Sequence, residues 1–415
     1  MRILIATTHR NVVGGVEKYL QRVLPSLANR GHRVALLYET RFDSARERID
    51  PALLELPSSG LDESGAEAGL RFAEEWRPDV VYSQGLQSSD FQAALLSKHP
   101  TALFAHNYVG TCASEEKCHA FPNPRPCDRL FGPACLALYY PRRCGGLNPV
   151  TMWKLYQRSA DNNAQLGKYA AILVASSHMR REYERHGVRP EKIHLTPLPN
   201  PLEDEGFHEF KRTPMRGKLL FLGRLTRLKG AAELLRAIPL AEKRMSRPLT
   251  VTIAGEGPQH DRLEDFARRN GLKAEFAGWV GSARKTELIT QSDLLVVPSL
   301  WAEPFGLVGL EAGGYGLPAV AYDVGGISDW LIPGYSGELA PAPPTIQGLA
   351  AAIYRALSDS AHYAKLCYGA REVANRFTLA AHVSKLESTL ETVLEMSRHT
   401  RSLARRGEEN VHAPA

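Results

Sequence analysis

No stretch of this 415-residue chain approaches the ~18 consecutive apolar residues that cross a bilayer as a helix, so no transmembrane helix is expected. The opening MRILIATTHR has too short an apolar segment for a signal peptide and reads as a buried first strand, which makes a cytoplasmic location the expectation. The G-x-G-x-x-G fingerprint is missing, which counts against a nicotinamide or flavin enzyme. No D-x-D triplet and no repeat of solenoid period occurs. Charge of one sign is scarce: 51 basic residues against 45 acidic leave +6, too mild for a nucleic-acid binder, yet suited to anionic ligands or weak contact with acidic lipid. Cysteine is rare at six residues, but five of them fall between Cys112 and Cys144.

What is present fits a soluble globular protein with 44% hydrophobic and 23% charged residues. The length is too great for one core and suits two domains. Short aliphatic runs alternate with helical patterns throughout, the signature of parallel α/β layers. In the first half the expected strands are Arg2–Thr7, Arg33–Tyr38, Asp79–Ser83, Thr101–His106, Ala171–Ala175 and Lys192–Thr196. In the second they are Lys218–Leu222, Leu249–Ala254, Ala274–Phe276, Leu294–Val297 and Ala319–Tyr322. Two such sets imply two Rossmann-like domains, 1–200 and 201–378, divided near the proline- and charge-rich Pro197–Pro214. A last helix is expected over Leu379–Met396, followed by a polar, disordered tail over 397–415.

Residues 300–318, LWAEPFGLVGLEAGGYGLP, are the most informative. The strand Leu294–Val297 stops at Pro298, a loop carries Glu303, and a helix starts near Gly306. Glu311, eight positions beyond Glu303, then lies about one and a half turns into that helix. The first turn offers unpaired N–H groups and a positive dipole end, a seat for phosphate. Two carboxylates beside it would repel phosphate, so they suit hydroxyls of a sugar and a ribose.

This segment resembles the Glu-x7-Glu motif of GT-B retaining glycosyltransferases of family 4, also called glycosyl transferases group 1. The resemblance implies two Rossmann-like domains facing across a cleft and a terminal helix crossing back onto the first. It implies hexosyl transfer from a nucleoside-diphosphate sugar, UDP sugars foremost, to a sugar or lipid-linked acceptor in polysaccharide or glycoconjugate synthesis. Other motifs agree. Arg224 and Lys229 in LGRLTRLKG match G-R-x4-K-G, and two cations on a loop entering a helix can grip a diphosphate, although exposed basic turns are common. Gly255 and Gly257 match A-G-x-G-P near the nucleotide, with a plain strand-ending turn as the alternative. Trp279 and Val280 would border the nucleobase or else simply pack. Gly14 and Gly15 would let backbone approach the donor phosphates and adopt positive φ. His106 would touch the transferred sugar, with no base role required. Gly306, Leu307 and Val308 would supply amides to the phosphate, Phe305 would belong to the substrate-binding set, Glu303 would hold sugar hydroxyls and Glu311 the ribose. Gly325 and Gly326 would shape the cleft wall. No catalytic cofactor is implied, in keeping with the missing D-x-D triplet. Ala312-Gly313-Gly314-Tyr315 departs from the family's alanine-rich sequence and is expected to loosen the helix.

The insertion 112–144 is less well explained by the family. Cys112, Cys118, Cys127, Cys135 and Cys144 invite a metal, but no C-x2-C pair occurs, and metal ligation, disulfide bonding and free thiols all stay open. Arg125, Arg129, Arg142 and Arg143 could meet an anionic acceptor or form a solvated loop. Arg180, Arg181, Arg185 and Arg189 form a second basic cluster, a solvated face or a peripheral contact with the inner membrane face. Two competing readings remain: a sugar-nucleotide-binding protein without turnover, and a phosphorylase- or epimerase-type relative.

Overall fold

A computed structural model describes residues 1–11, 14–41, 55–202 and 216–411. The first half forms β1 (Arg2–His9), β2 (Arg33–Thr40), β3 (Ser58–Gly60), β4 (Val80–Ser83) and β5 (Thr101–Ala105), a small hairpin of β6 (Cys118–His119) and β7 (Arg125–Pro126), then β8 (Ala171–Val174) and β9 (Ile193–Leu195). All but the hairpin join one parallel sheet ordered β3-β2-β1-β4-β5-β8-β9. The second half forms β10 (Lys218–Leu222), β11 (Thr250–Ala254), β12 (Ala274–Gly278), β13 (Leu294–Val297), β14 (Ala319–Tyr322) and β15 (Gly337–Ala340), a parallel sheet ordered β12-β11-β10-β13-β14-β15.

The aliphatic runs dictate this. Ile3, Leu4, Ile5 and Ala6 are all buried, and so are Leu219, Leu220 and Phe221. A strand that buries both faces belongs in the middle of a parallel sheet covered by helices on each side. Strand order reverses at β1 and at β10, and crevices open beyond the carboxyl ends of strands at such points. Arg224, Gly255, Trp279, Glu303, Gly325 and His106 all follow the carboxyl ends of strands. Helices α1 (Gly15–Asn29), α2 (Leu61–Trp76), α3 (Ser89–Lys98), α4 (Ala134–Tyr139), α5 (Pro149–Gln165) and α6 (Ser177–Arg185) accompany the first sheet. Helices α7 (Ala231–Met245), α8 (His260–Arg269), α9 (Ser282–Gln291), α10 (Leu307–Gly314), α11 (Ile346–Leu357) and α12 (Ser360–Ala374) accompany the second.

Helix α13 (Leu379–Val411) returns to the first sheet. Val383, Leu386, Leu390 and Val393 recur every three or four positions and are buried as one face. Glu387 fastens the helix to Arg30 at 2.8 Å and to His32 at 2.7 Å. The helix continues past Met396 through Val411, so the disordered tail expected from Ser397 is corrected as far as Val411. Leu403, Ala404, Arg405 and Arg406 are good helix formers, and an anchored helix propagates through such residues without the cost of a new nucleus. Of the Pro197–Pro214 boundary segment, the part from 203 onward lies outside the described residues.

Candidate active site

Strand β13 runs fully buried to Pro298, and the chain then turns through a loop into α10, with Gly306 as N-cap at φ +83°. Glu303 sits in this loop with only 5% of its surface exposed. Its Oε1 accepts hydrogen bonds from Lys229 Nζ at 2.6 Å and from Ser299 Oγ at 2.6 Å. Burial alone would raise the Glu303 pKa, but the Lys229 charge and the side-chain hydrogen bonds from Lys229, Ser299 and Trp301 outweigh it and hold the carboxyl below its ordinary value. Lys229 closes the 3-10 turn that follows β10, and its ammonium lies 5.1 Å over the Trp301 ring.

Arg224, on the same loop, is exposed and has no ion pair among the described residues. Its charge is felt by Glu116 of the cysteine-rich insertion, whose pKa burial raises and Arg224 pulls down. Glu311, half-buried on α10, forms an ion pair with Lys285 of α9. Lys285, Ser299, Trp301 and Glu116 were not singled out from the sequence, although Trp301 lies within the motif segment and Ser299 directly precedes it.

Glycines weld the loops together. A Cβ at Gly255 would stand 1.9 Å from the Gly223 carbonyl, and one at Gly325 would stand 2.2 Å from that of Glu303. Gly255 N also donates to Gly278 O at 2.7 Å, which ties the Gly278–Trp279 turn to the β11 loop. Trp279 is 45% exposed, so plain packing does not explain it, while Val280 rests against the core. Gly14 differs from expectation. It caps α1 in an extended conformation (φ −157°), and neither it nor Gly15 has positive φ. The reason is local: Gly14 N donates to Glu17 Oε2 at 2.7 Å in a capping arrangement. The Phe305 side chain is buried edge-on to Phe377, and its carbonyl accepts the Trp330 indole N–H at 2.7 Å. Leu307 and Val308 are half-buried against the core at the start of α10. Gly313 does not loosen α10; a Cβ there would lie 2.8 Å from Ala370 O, so the glycine admits α12.

His106 follows β5, stacked on Phe104 at 4.5 Å, with Nε2 bonded to Gln84 Oε1 at 2.8 Å. That oxygen can only accept, so Nε2 carries the proton and Nδ1 is left as an acceptor. Burial, and next the nearby His382, lowers the His106 pKa to about 3, so the ring is neutral near neutrality. Two residues on, Tyr108 reaches across the cleft: its hydroxyl donates to Ala302 O at 2.7 Å and pairs with His178 at 2.8 Å. Ser176 Oγ donates to Pro304 O at 2.5 Å, and Ser177 N to Asp329 Oδ2 at 2.6 Å. The Glu303 loop is therefore bonded to both domains.

All six cysteines are free thiols. Cys112, Cys118, Cys127, Cys135 and Cys144 line a common cavity of about 30 Å³ with His119, whose Nδ1 lies 3.7 Å from Cys144 Sγ. Burial pushes the Cys118 and Cys144 thiols up to about 12. Among the described residues no three His, Cys, Asp or Glu side chains are arranged to share a metal ion. In the second basic cluster Arg180 pairs with Glu184 at 3.0 Å and Arg189 with Glu191 at 3.3 Å. No described helix is long and apolar enough to cross a membrane.

Two parallel-sheet domains facing across a cleft, with a lysine–glutamate ion pair on the loops after β10 and β13, define an enzyme of the GT-B class. Residues 13–203 match the family described as Glycosyltransferase Family 4, and residues 204–373 match Glycosyl transferases group 1. The chain belongs to this family and is a glycosyltransferase of the hexosyl-transferring type. It is 35% identical over 315 residues to the glycogen synthase of Mycobacterium tuberculosis, covering 74% of this chain and 67% of that one. It is 31% identical over 185 residues to the phosphatidyl-myo-inositol mannosyltransferase of the same organism, covering 43% and 48%. Among solved structures it resembles the lipopolysaccharide outer core galactosyltransferase WaaB (TM-score 0.66, 16% identity, 94% and 99% covered). It also resembles Anabaena HepE in complex with UDP-glucose (TM-score 0.65, 17% identity, 94% and 100% covered).

Proposed function

We propose that this chain transfers a hexose from a nucleoside-diphosphate sugar, a UDP sugar foremost, to a saccharide acceptor with retention at the anomeric carbon. The observation that carries the reading is the Glu303 carboxylate, buried at the cleft and held ionised by Lys229 at 2.6 Å. Similarity to HepE, solved with UDP-glucose, and to a mannosyltransferase and a glycogen synthase supports the donor class. In the reaction the bond from the anomeric carbon to the diphosphate breaks, and its electron pair leaves with the phosphate oxygen. The acceptor oxygen forms the new bond on the same face and its proton passes to the departing phosphate. Negative charge thus grows on the diphosphate, where Arg224, Lys229 and the first amides of α10 are suited to meet it. Glu303 receives a sugar hydroxyl, the neutral His106 offers Nδ1 to another, and Glu311 takes the ribose. These cations supply the charge stabilisation, so the scheme assigns no cofactor to the transfer step. The narrow Tyr108–Ala302 and Ser176–Pro304 contacts keep water from the donor once it is bound.

The test is calorimetric titration with UDP, followed by product analysis by proton NMR with a panel of UDP sugars. Donor hydrolysis or transfer should give the α-configured product from an α-linked donor. Glu303→Gln should lower turnover about 100-fold while UDP affinity stays within about threefold, since the carboxylate acts on the sugar. Tight UDP binding with no hydrolysis and no transfer would favour the binding-protein reading, and an inverted product would overturn the mechanism.

A further inference from the structure

Beside the loops just described, and sharing none of the residues assigned to the donor, lies a groove of about 1210 Å³. Arg125 and Arg142 of the cysteine-rich insertion form one wall. Arg227, Arg236, Arg262 and Arg269, on the β10 loop, α7 and α8, form the other. Against these six guanidinium groups the lining carries one carboxylate, Glu233. Burial raises the Glu233 pKa, with its own backbone N–H, Arg236 and Arg227 pulling the other way.

The arginines are only partly spoken for. Arg236 lies 3.5 Å from Glu233 and over the Phe266 ring, and Arg269 pairs with Asp265 at 3.4 Å. Arg125, Arg142, Arg227 and Arg262 have no carboxylate within ion-pair distance among the described residues. Like charges this close repel one another, and a cleft that gathers them focuses a field able to draw in an anion. Arginine presents planar forks that match phosphate, sulfate and carboxylate oxygens. The remaining lining includes Gln259, whose buried Oε1 has no hydrogen-bond partner among the described residues. The two walls come from different domains, so a ligand here spans the cleft.

We propose that this groove binds a saccharide bearing several anionic groups, phosphate, sulfate or carboxylate. Its role as the acceptor's seat rests on the transfer reading above, while binding itself does not. The groove's volume exceeds what one phosphate needs, and the unpaired guanidinium groups on both walls call for charges spread along one molecule.

The test uses sucrose octasulfate as the probe, titrated calorimetrically into the full chain at fixed salt with saturating UDP present, and neutral sucrose as the blank. The parent should bind the octasulfate saturably and sucrose not at all. Arg125→Ser with Arg262→Ser should weaken octasulfate binding at least tenfold and leave UDP affinity unchanged. Arg180→Ser with Arg181→Ser, an equal loss of charge on α6 away from the groove, should change it less than twofold. Equal losses in both double variants would mean a diffuse charge effect and overturn the groove. So would loss of octasulfate binding when UDP is added, which would place the probe on the donor's phosphate seat, or no saturable binding by the parent. Circular dichroism melting of each variant guards against misfolding, and charge-reversed Arg262→Glu alone repeats the measurement on a single exposed site. Failure of UDP to bind would sink the transfer reading and leave the octasulfate result standing by itself.

Discussion

Glu303 and Gly255 affect the site in different ways, one by charge and one by having no side chain. Gly255 at φ +148° has the carbonyl of Gly223 where a Cβ would stand, 1.9 Å away. Neither backbone can yield without moving the loop that bears Arg224. Gly14 is different: a Cβ there would meet only Glu17 Oε2 at 3.6 Å, ordinary contact, on an extended backbone that any residue adopts. Gly255→Ala should therefore weaken UDP binding at least tenfold and lower the melting temperature, the strain being of the order of 1–3 kcal/mol. Gly14→Ala should fold with unchanged melting temperature. If it nonetheless abolishes transfer, the glycine is required by a substrate that passes over it, and its role is steric toward the ligand. Calorimetry and melting curves on the two variants separate the cases.

At the scale of elements, the sequence was legible where aliphatic runs end at glycine or proline. Strands β10, β13 and β14 fall on their expected bounds because Leu219–Phe221, Leu294–Val297 and Ala319–Tyr322 are fully apolar segments cut off by turn residues. Strands β3 and β15 were not legible. Ser58–Gly60 has no apolar pattern, and Gly337–Ala340 holds only two apolar residues, so their pairing at the sheet edges leaves no aliphatic run to read. At the site, the four motif residues could be named from their resemblance to the family's motifs, but Ser299, Lys285 and Glu116 could not. Their partners are set by how the loops and α9 fold against one another, and a polar residue that meets its partner only through tertiary structure carries no periodic signal. Helix α13 illustrates a further gap. Its buried face was visible, yet its polar fastening was not: His382 Nδ1 bonds Pro197 O at 2.7 Å, and Nε2 bonds the Tyr19 hydroxyl at 2.8 Å. A carbonyl only accepts, so Nδ1 holds the proton and Nε2 must accept from Tyr19, a neutral ring. Burial lowers the His382 pKa to about 4, well under the ordinary 6.5. In the unfolded chain the same ring takes a proton near its ordinary value, so below about pH 6.5 the unfolded state binds more protons. Stability should be highest above that pH and fall as pH drops toward about 4, by up to ~1.4 kcal/mol per pH unit for this ring. His106, lowered to about 3, acts in the same direction. Denaturant midpoints between pH 7.5 and 5 should decline, and His382→Asn should flatten the decline. Equal slopes in variant and parent would remove His382 from the account.

For the whole molecule, the question is what holds the domains in register around the Glu303 loop. Three short hydrogen bonds cross to the loops of the second domain, Tyr108 to Ala302, Ser176 to Pro304 and Ser177 to Asp329, at 2.7, 2.5 and 2.6 Å, beside a longer one from Cys118 Sγ to Leu300 O at 3.6 Å. Helix α13 crosses elsewhere, by apolar burial. The helix fixes the hinge side, and the three polar bonds fix the mouth, so they should set the balance between closed and open forms. A net hydrogen bond contributes about 0.5–1.5 kcal/mol. Removing two of them with Tyr108→Phe and Ser176→Ala should shift that balance by about 1–3 kcal/mol toward opening. Global stability should change little, because α13 and both cores remain. The double variant should show a larger radius of gyration by small-angle scattering than the parent, and saturating UDP should restore the parent's value if donor binding favours the closed form. Its ratio of donor hydrolysis to transfer should rise, because water reaches the sugar while the acceptor is less well held. An unchanged radius and an unchanged ratio would assign closure to α13 alone and leave the Tyr108 and Ser176 bonds as consequences of it.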